Sequence, residues 1–130
     1  MQLAYLGMEI KHLAAWRKFL TEIVGLQEVE EKTPGGAIAF RMDERARRFI
    51  LSEGDTDDIG YVGFTVQDKA ALDRQRARFE DAGYPTHELD PTELNERCVR
   101  GGFYCADPSG YRIEFAWGAS VVLDKPFVSP

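Results

Sequence analysis

Histidine and cysteine carry much of the catalytic and metal chemistry open to a protein, and this chain of 130 residues has two of each. His12 and His87 lie far apart in sequence, and neither has a partner at metal-ligand spacing. Cys98 and Cys105 lack the second pair that a zinc knuckle needs, and Cys105 sits in an apolar run that marks it as a small core residue. Ser52, Ser109 and Ser120 occupy turn or strand-end positions with no histidine nearby in sequence, and no GxSxG, phosphate-loop or dinucleotide fingerprint occurs. The run Asp55-Thr56-Asp57-Asp58 lacks the spacing of a calcium loop and reads as an acidic link. What remains is two tyrosines and a glutamate. Tyr5 opens "YLGMEIKHLAAW" (5–16), Tyr61 opens "YVGFTVQDKAAL" (61–72), and Glu114 lies in "DPSGYRIEF" (107–115). Two phenols and a carboxylate can hold a polar ligand or pass a proton. Alternatively, a phenol can satisfy the carboxylate, which needs partners once buried. The second reading is preferred, with Tyr5 or Tyr61 donating to Glu114, and no residue is assigned a catalytic role.

The elements that must position these residues are written twice. Each tyrosine segment begins with a strand pattern, "LAYLGMEI" and "IGYVGFTV". Alternation sends Leu6, Met8 and Ile10 to one face and Tyr5, Gly7 and Glu9 to the other; Val62, Phe64 and Val66 likewise oppose Tyr61, Gly63 and Thr65. A helix follows each strand. The first carries Leu13, Trp16, Leu20, Ile23 and Val24 on one stripe, with Phe19 beside it, and stops at Gly25. The second is capped by Asp68, carries Leu72, Phe79 and Ala82, and stops at Gly83. "GGAIAFRMDERARRFILSEG" (35–54) then parallels "GGFYCADPSGYRIEFAWG" (101–118), with Asp43, Arg48 and Gly54 matching Asp107, Arg112 and Gly118. In the last strand Ile113, Phe115 and Trp117 share the apolar face, while Arg112, Glu114 and Ala116 share the other. The first copy places Phe49 and Leu51 on the apolar face and Ile50 where Glu114 would be. An insertion, "LDPTELNERCV" (89–99), reads as a short helix with Asp90 as N-cap, Pro91 first and Glu93 closing a capping box.

These patterns define an α+β fold of two tandem βαβββ units, forming a curved, mostly antiparallel sheet cup with helices outside. Residues 1–119 make one domain, with unit one about 1–56 and unit two about 57–119; residues 120–130, with two prolines and no period, read as a linker or tail. The concave face is lined by the Tyr/Gly positions and by Ile50 and Glu114. A net charge of -6 argues against nucleic acid or an anionic membrane as a partner. No long apolar span or leader pattern is seen and nothing demands an oxidising compartment, so a cytoplasmic location is expected.

The βαβββ repeat, with "DPSGYRIEF" in register near its end, resembles the vicinal oxygen chelate superfamily of glyoxalase I, bleomycin-resistance proteins and extradiol dioxygenases. A narrower resemblance is carried by "LAYLGMEIKHLAAWRKFLTEIVGLQ", "AFRMDERARRFIL", "ADPSGYRIEFAWG" and "PFVSP". It is to the N-terminal domain of type I extradiol dioxygenases, which cleave catechol-type rings with Fe(II) and O2. The resemblance implies a second domain, absent from this sequence, that holds the iron with two histidines and a glutamate; "PFVSP" is similar to the crossing into it. It also implies that the family's metal-ligand positions fall on Tyr5, Ile50, Tyr61 and Glu114 here, a vacated site, so that this chain holds no cofactor of its own. The function expected is then a non-catalytic scaffold or oligomerisation domain, inactive alone, whose partners are a second dioxygenase domain or another subunit, with a homo-oligomer expected. The alternative is a stand-alone, metal-free small-molecule binder of the bleomycin-resistance type, with Phe103, Tyr104 and Trp117 lining a groove. A third reading, an independent metal enzyme, would need a site shared between chains, since Glu114 is the sole obvious ligand in each.

Overall fold

The computed structural model describes residues 1–128; the last two residues of "PFVSP" lie outside the described residues. Unit one comprises β1 (Gln2–Ile10), α1 (Leu13–Lys18), β2 (Gln27–Glu28), β3 (Ile38–Arg41) and β4 (Phe49–Glu53). Unit two comprises β5 (Asp58–Thr65), α2 (Lys69–Asp81), β6 (His87–Glu88), α3 (Pro91–Arg97), β7 (Gly101–Ala106) and β8 (Arg112–Trp117). All strands join one sheet in the order β2-β3-β4-β1-β5-β8-β7-β6. The first strand of each unit pairs parallel with the last strand of the same unit, and β1 pairs antiparallel with β5 at the centre. The remaining pairs are antiparallel, so the fold is the mixed α+β, mostly antiparallel sheet read from the duplication.

The two sheet faces divide as the alternation requires. Ile10, Leu20, Leu26, Ile38, Phe40 and Leu51 form one buried cluster beneath α1, with Met8, Leu13, Trp16 and Phe49 against it. Leu72, Phe103, Cys105 and Phe115 form its counterpart beneath α2. The short α3 lies on the opposite face, where its Leu94 packs with Ala4, Tyr5, Val99 and Ala116. Its start is as read: Asp90 accepts from the Glu93 backbone N–H at 2.8 Å, and Glu93 accepts from the Asp90 N–H at 3.0 Å. At α2, Asp68 accepts from the Ala71 N–H at 2.8 Å.

The first helical stripe departs from expectation. After Lys18 the backbone continues as a π-helix, Phe19–Val24. Its wider i→i+5 turn breaks the 3.6-residue period on which the stripe was drawn. Leu20 stays buried, but Ile23, Val24 and Phe19 turn out to solvent. Gly25, at φ +89°, ends the segment in the left-handed region that glycine adopts without strain.

Residues 120–125, part of the segment read as linker or tail, form a strap across unit one. Ser120 O accepts from the Ala46 N–H at 3.0 Å, the Val122 N–H donates to Glu44 O at 2.6 Å, and Arg41 Nη1 donates to Lys125 O at 2.7 Å. Contacts made this late in the chain leave no periodic trace in its sequence.

Candidate functional site

The floor of the concave face is built on the central β1–β5 ladder. There Tyr5 faces Gly63 and Gly7 faces Tyr61. Each ring lies over the glycine of the other strand: a Cβ on Gly63 would fall 2.2 Å from the Tyr5 ring, and one on Gly7 would fall 2.2 Å from the Tyr61 ring. The repeated Tyr-x-Gly is therefore a reciprocal packing device. It brings the rings edge to face with centroids 5.8 Å apart, a favourable aromatic geometry.

Glu114 reaches this floor from β8 and is fully buried. One carboxylate oxygen accepts from the Tyr5 hydroxyl at 2.6 Å and from Arg97 Nε at 2.6 Å. The other accepts from Arg97 Nη2 at 2.9 Å and from Arg112 Nε at 2.8 Å. Arg112 also donates to Glu93 at 2.5 Å, and its guanidinium lies 3.5 Å from the Tyr104 ring centroid. Arg97 sits 4.1 Å above the Tyr61 ring. So α3 delivers a buried guanidinium that grips Glu114 on two oxygens, the strong, directional form of such a pair. The same helix reaches unit one, where Thr33 donates to Glu96 at 3.1 Å and Arg47 Nε donates to the Glu96 carbonyl at 3.3 Å.

The repeat makes opposite choices at matching positions. Arg112 turns in to Glu114, whereas Arg48 pairs with Asp43 and donates to the Ala4 carbonyl at 2.9 Å. Ile50, which faces Gly7 where Glu114 faces Gly63, offers no charge; it packs with Ala37, Ala39 and Tyr61 instead.

Of the four residues singled out on this face, the structure links Tyr5, Tyr61 and Glu114 through ring and carboxylate contacts and sets Ile50 against Tyr61. Tyr5 is the donor to Glu114; the Tyr61 hydroxyl is buried with no partner among the described residues. Periodicity does not reveal Arg97, although it lies four residues after Glu93 on one face of a capped helix. Arg112 lies two residues before Glu114 on the same strand face, a legible signal. His12 is exposed before α1, and His87 is exposed on edge strand β6, stacked on Tyr104 at 5.1 Å. Among the described residues no three His, Cys, Asp or Glu side chains gather as a metal site. Within one chain the three aromatics do not share a face: Phe103 and Trp117 pack on the α2 side, while Tyr104, one residue on, faces Arg112 on the other.

Burial holds the Tyr5 phenol well above its usual pKa, reinforced by the charge of Glu114 and the hydrogen bond to it. Tyr61 is raised chiefly by burial. Burial alone would lower Arg97, but the Glu114 hydrogen bond and nearby charges override it, and Arg97 is held above its usual range. Both tyrosines therefore stay protonated in the folded state after an unfolded phenol has begun to ionise near pH ~10. Their contribution is full below that pH and is lost as pH rises through the folded values. Between those limits each tyrosine makes unfolding easier by about 1.4 kcal/mol per pH unit. Urea titrations between neutral pH and pH ~11 should show a steep alkaline loss of stability that flattens in the Tyr5→Phe/Tyr61→Phe double variant. Equal slopes would mean that the phenols do not govern the alkaline limit.

The single variants should separate the two rings. Tyr5→Phe removes a hydrogen bond to a charged group and is expected to cost about 1.5–3 kcal/mol. Tyr61→Phe removes an unpaired buried hydroxyl and should be neutral or slightly stabilising. Chemical denaturation measures both; equal losses would contradict the assigned donor.

Comparisons with known proteins agree with this architecture. A family model described as "Dihydroxybiphenyl dioxygenase BphC D1" matches residues 3–54. The biphenyl-2,3-diol 1,2-dioxygenase of Paraburkholderia xenovorans (strain LB400) is 36% identical over 126 residues, which cover 97% of this chain and 42% of that protein. The 3-methylcatechol 2,3-dioxygenase of a Pseudomonas putida strain is 32% identical, over 99% of this chain and 44% of its own length. Among solved structures, BphC, a halotolerant catechol dioxygenase, superposes with a TM-score of 0.89 at 35% identity, over 97% of this chain and 42% of that one. The chain thus spans about two fifths of the length of the curated relatives it matches. In sequence and in fold, this chain is similar to the N-terminal domain of the extradiol ring-cleavage dioxygenases.

Proposed function

We propose that this chain is a non-catalytic supporting domain of a cytoplasmic extradiol dioxygenase. It packs beside an iron-bearing domain and contributes to the oligomer, while ring cleavage takes place in that other domain. The observation that carries this reading is the state of Glu114. Both of its oxygens are already taken by Tyr5, Arg97 and Arg112.

Fe(II) does not suit this donor set. In the family's ligand pattern the four positions read Tyr5, Ile50, Tyr61 and Glu114. Isoleucine has no lone pair to give, and a phenol held protonated by burial is a poor ligand. Two guanidinium groups on the one carboxylate repel a dication. The vacated positions are filled by an internal ion pair that serves the fold.

The test is to load the purified chain with Fe(II) under anaerobic conditions, assay bound iron, and offer biphenyl-2,3-diol or 3-methylcatechol with O2. Substoichiometric iron and no ring-cleavage product are expected. Stoichiometric iron with turnover would overturn the proposal.

A further inference from the structure

Outside the floor, Arg41 and Arg47 are two of the arginines that have no carboxylate partner among the described residues. Arg41 ends β3 and is only 5% exposed, as buried as Arg97. Arg97 is paired with Glu114, but Arg41 donates only to the backbone carbonyls of Lys125 at 2.7 Å and Asp43 at 3.2 Å. Its Nε is buried with no partner among the described residues. Arg47 likewise donates only to carbonyls, those of Glu96 at 3.3 Å and Ala46 at 3.0 Å. A guanidinium has five N–H donors, and carbonyl dipoles do not neutralise its full charge. A buried cation without a counter-charge is costly, so a site that retains one invites an anion.

Both arginines line one cavity, of about 280 Å³, between the 27–31 segment and the strap. Its apolar wall includes Val29, Ala46 and Val122. Acidic residues also border it, but Glu28 is paired with Arg17 at 2.6 Å and Glu30 with Lys125 at 3.3 Å. That leaves Glu31 and Asp124, both exposed, where water and salt screen their charge.

We propose that this cavity receives a small organic carboxylate, its head between Arg41 and Arg47 and its body against Val29, Ala46 and Val122. The chemistry fits on three counts. A planar carboxylate matches the donor fork of a guanidinium. The volume suits a small molecule, being just under the usual range of ligand pockets. The ligand would also fix the strap, because Arg41 holds Lys125 and both Val122 and Lys125 border the cavity. The lining of this site includes none of the residues that bond Glu114, and it stands whether or not the chain supports a dioxygenase.

Benzoate is a suitable probe, with benzyl alcohol as the uncharged control and sodium chloride at matched ionic strength. Calorimetry and thermal melts on the 130-residue chain should show 1:1 binding of benzoate and a raised Tm, with neither effect from the controls. Arg47→Gln removes the half-buried arginine; it should leave the circular dichroism unchanged and weaken benzoate at least about tenfold, the loss expected for a hydrogen bond to a charged group. Arg41→Lys keeps the charge but not the fork and should also weaken binding. The proposal is overturned if benzoate shifts the wild-type melt no more than chloride does, or if Arg47→Gln binds benzoate as well as wild type. In either case the two arginines serve only to clamp backbone.

Discussion

Replacing Glu114 by alanine is expected to destabilise the domain by about 3–5 kcal/mol, a large share of the ~5–15 kcal/mol that holds a typical domain together. The reason is what the substitution leaves behind. Arg97 is 5% exposed, and its guanidinium would remain buried above Tyr61 with only Glu96, at 3.9 Å, as a counter-charge in place of the two-oxygen grip on Glu114. The Tyr5 hydroxyl would lose its acceptor too. Arg112 is less affected, since it is half-buried and keeps Glu93. A fall in Tm of roughly 10–20 °C should follow for a domain of this size. The paired variant Arg97→Met/Glu114→Met should recover most of the loss, because removing both charges also removes their desolvation cost. A double-mutant cycle with urea denaturation measures the coupling. A Glu114→Ala variant within about 1 kcal/mol of wild type would show that the pair is dispensable, and with it the argument that the carboxylate is committed to the fold.

Gly63→Ala is the second change with a large expected effect. The added methyl would sit 2.2 Å from the Tyr5 ring, far inside contact distance. That ring cannot easily yield, because Tyr5 is 3% exposed and its hydroxyl is tied to Glu114. Overpacking of this kind costs about 1–3 kcal/mol. Here the displaced ring also loses a charge-assisted hydrogen bond, so a total of about 3 kcal/mol or more is expected. Gly7→Ala meets the Tyr61 ring at the same distance, but the Tyr61 hydroxyl holds nothing. Its ring is freer to shift, so the cost should be smaller. Tyr5→Leu placed in the Gly63→Ala background should cost less than the sum of the two single changes, since the smaller side chain removes the collision. Thermal and urea melts of the four variants decide it: Gly63→Ala and Gly7→Ala with equal cost would contradict the unequal anchoring of the two rings.

Both expectations depend on geometry that is only partly visible in the chain. The Tyr-x-Gly repeat is plain in the residues, and alternation correctly assigned Ile50 and Glu114 to the same face as Tyr5 and Tyr61. It did not tell which tyrosine bonds the carboxylate. That is settled by the β1–β5–β8 register, which sets Tyr5 opposite Gly63 and Gly63 opposite Glu114. The stripe drawn through Ile23 and Val24 failed for a different reason: a π-helical segment shifts side chains without changing composition.

What the sequence determined by itself is what short-range stereochemistry controls. The alternation of strands, the Asp68 and Asp90 caps and the Gly25 stop all follow from neighbours a few residues apart, and the doubling of the βαβββ unit is read from the recurrence of those local patterns. Tertiary structure alone decided the fate of Glu114. Its partners Tyr5 and Arg97 arrive from other elements, 109 and 17 residues away in the chain, on β1 and on α3. Likewise the strap meets Arg41 across most of the chain's length. Burial makes these meetings matter: in a low-dielectric floor, whether a carboxylate binds a metal or grips a guanidinium depends on which charge the fold places beside it.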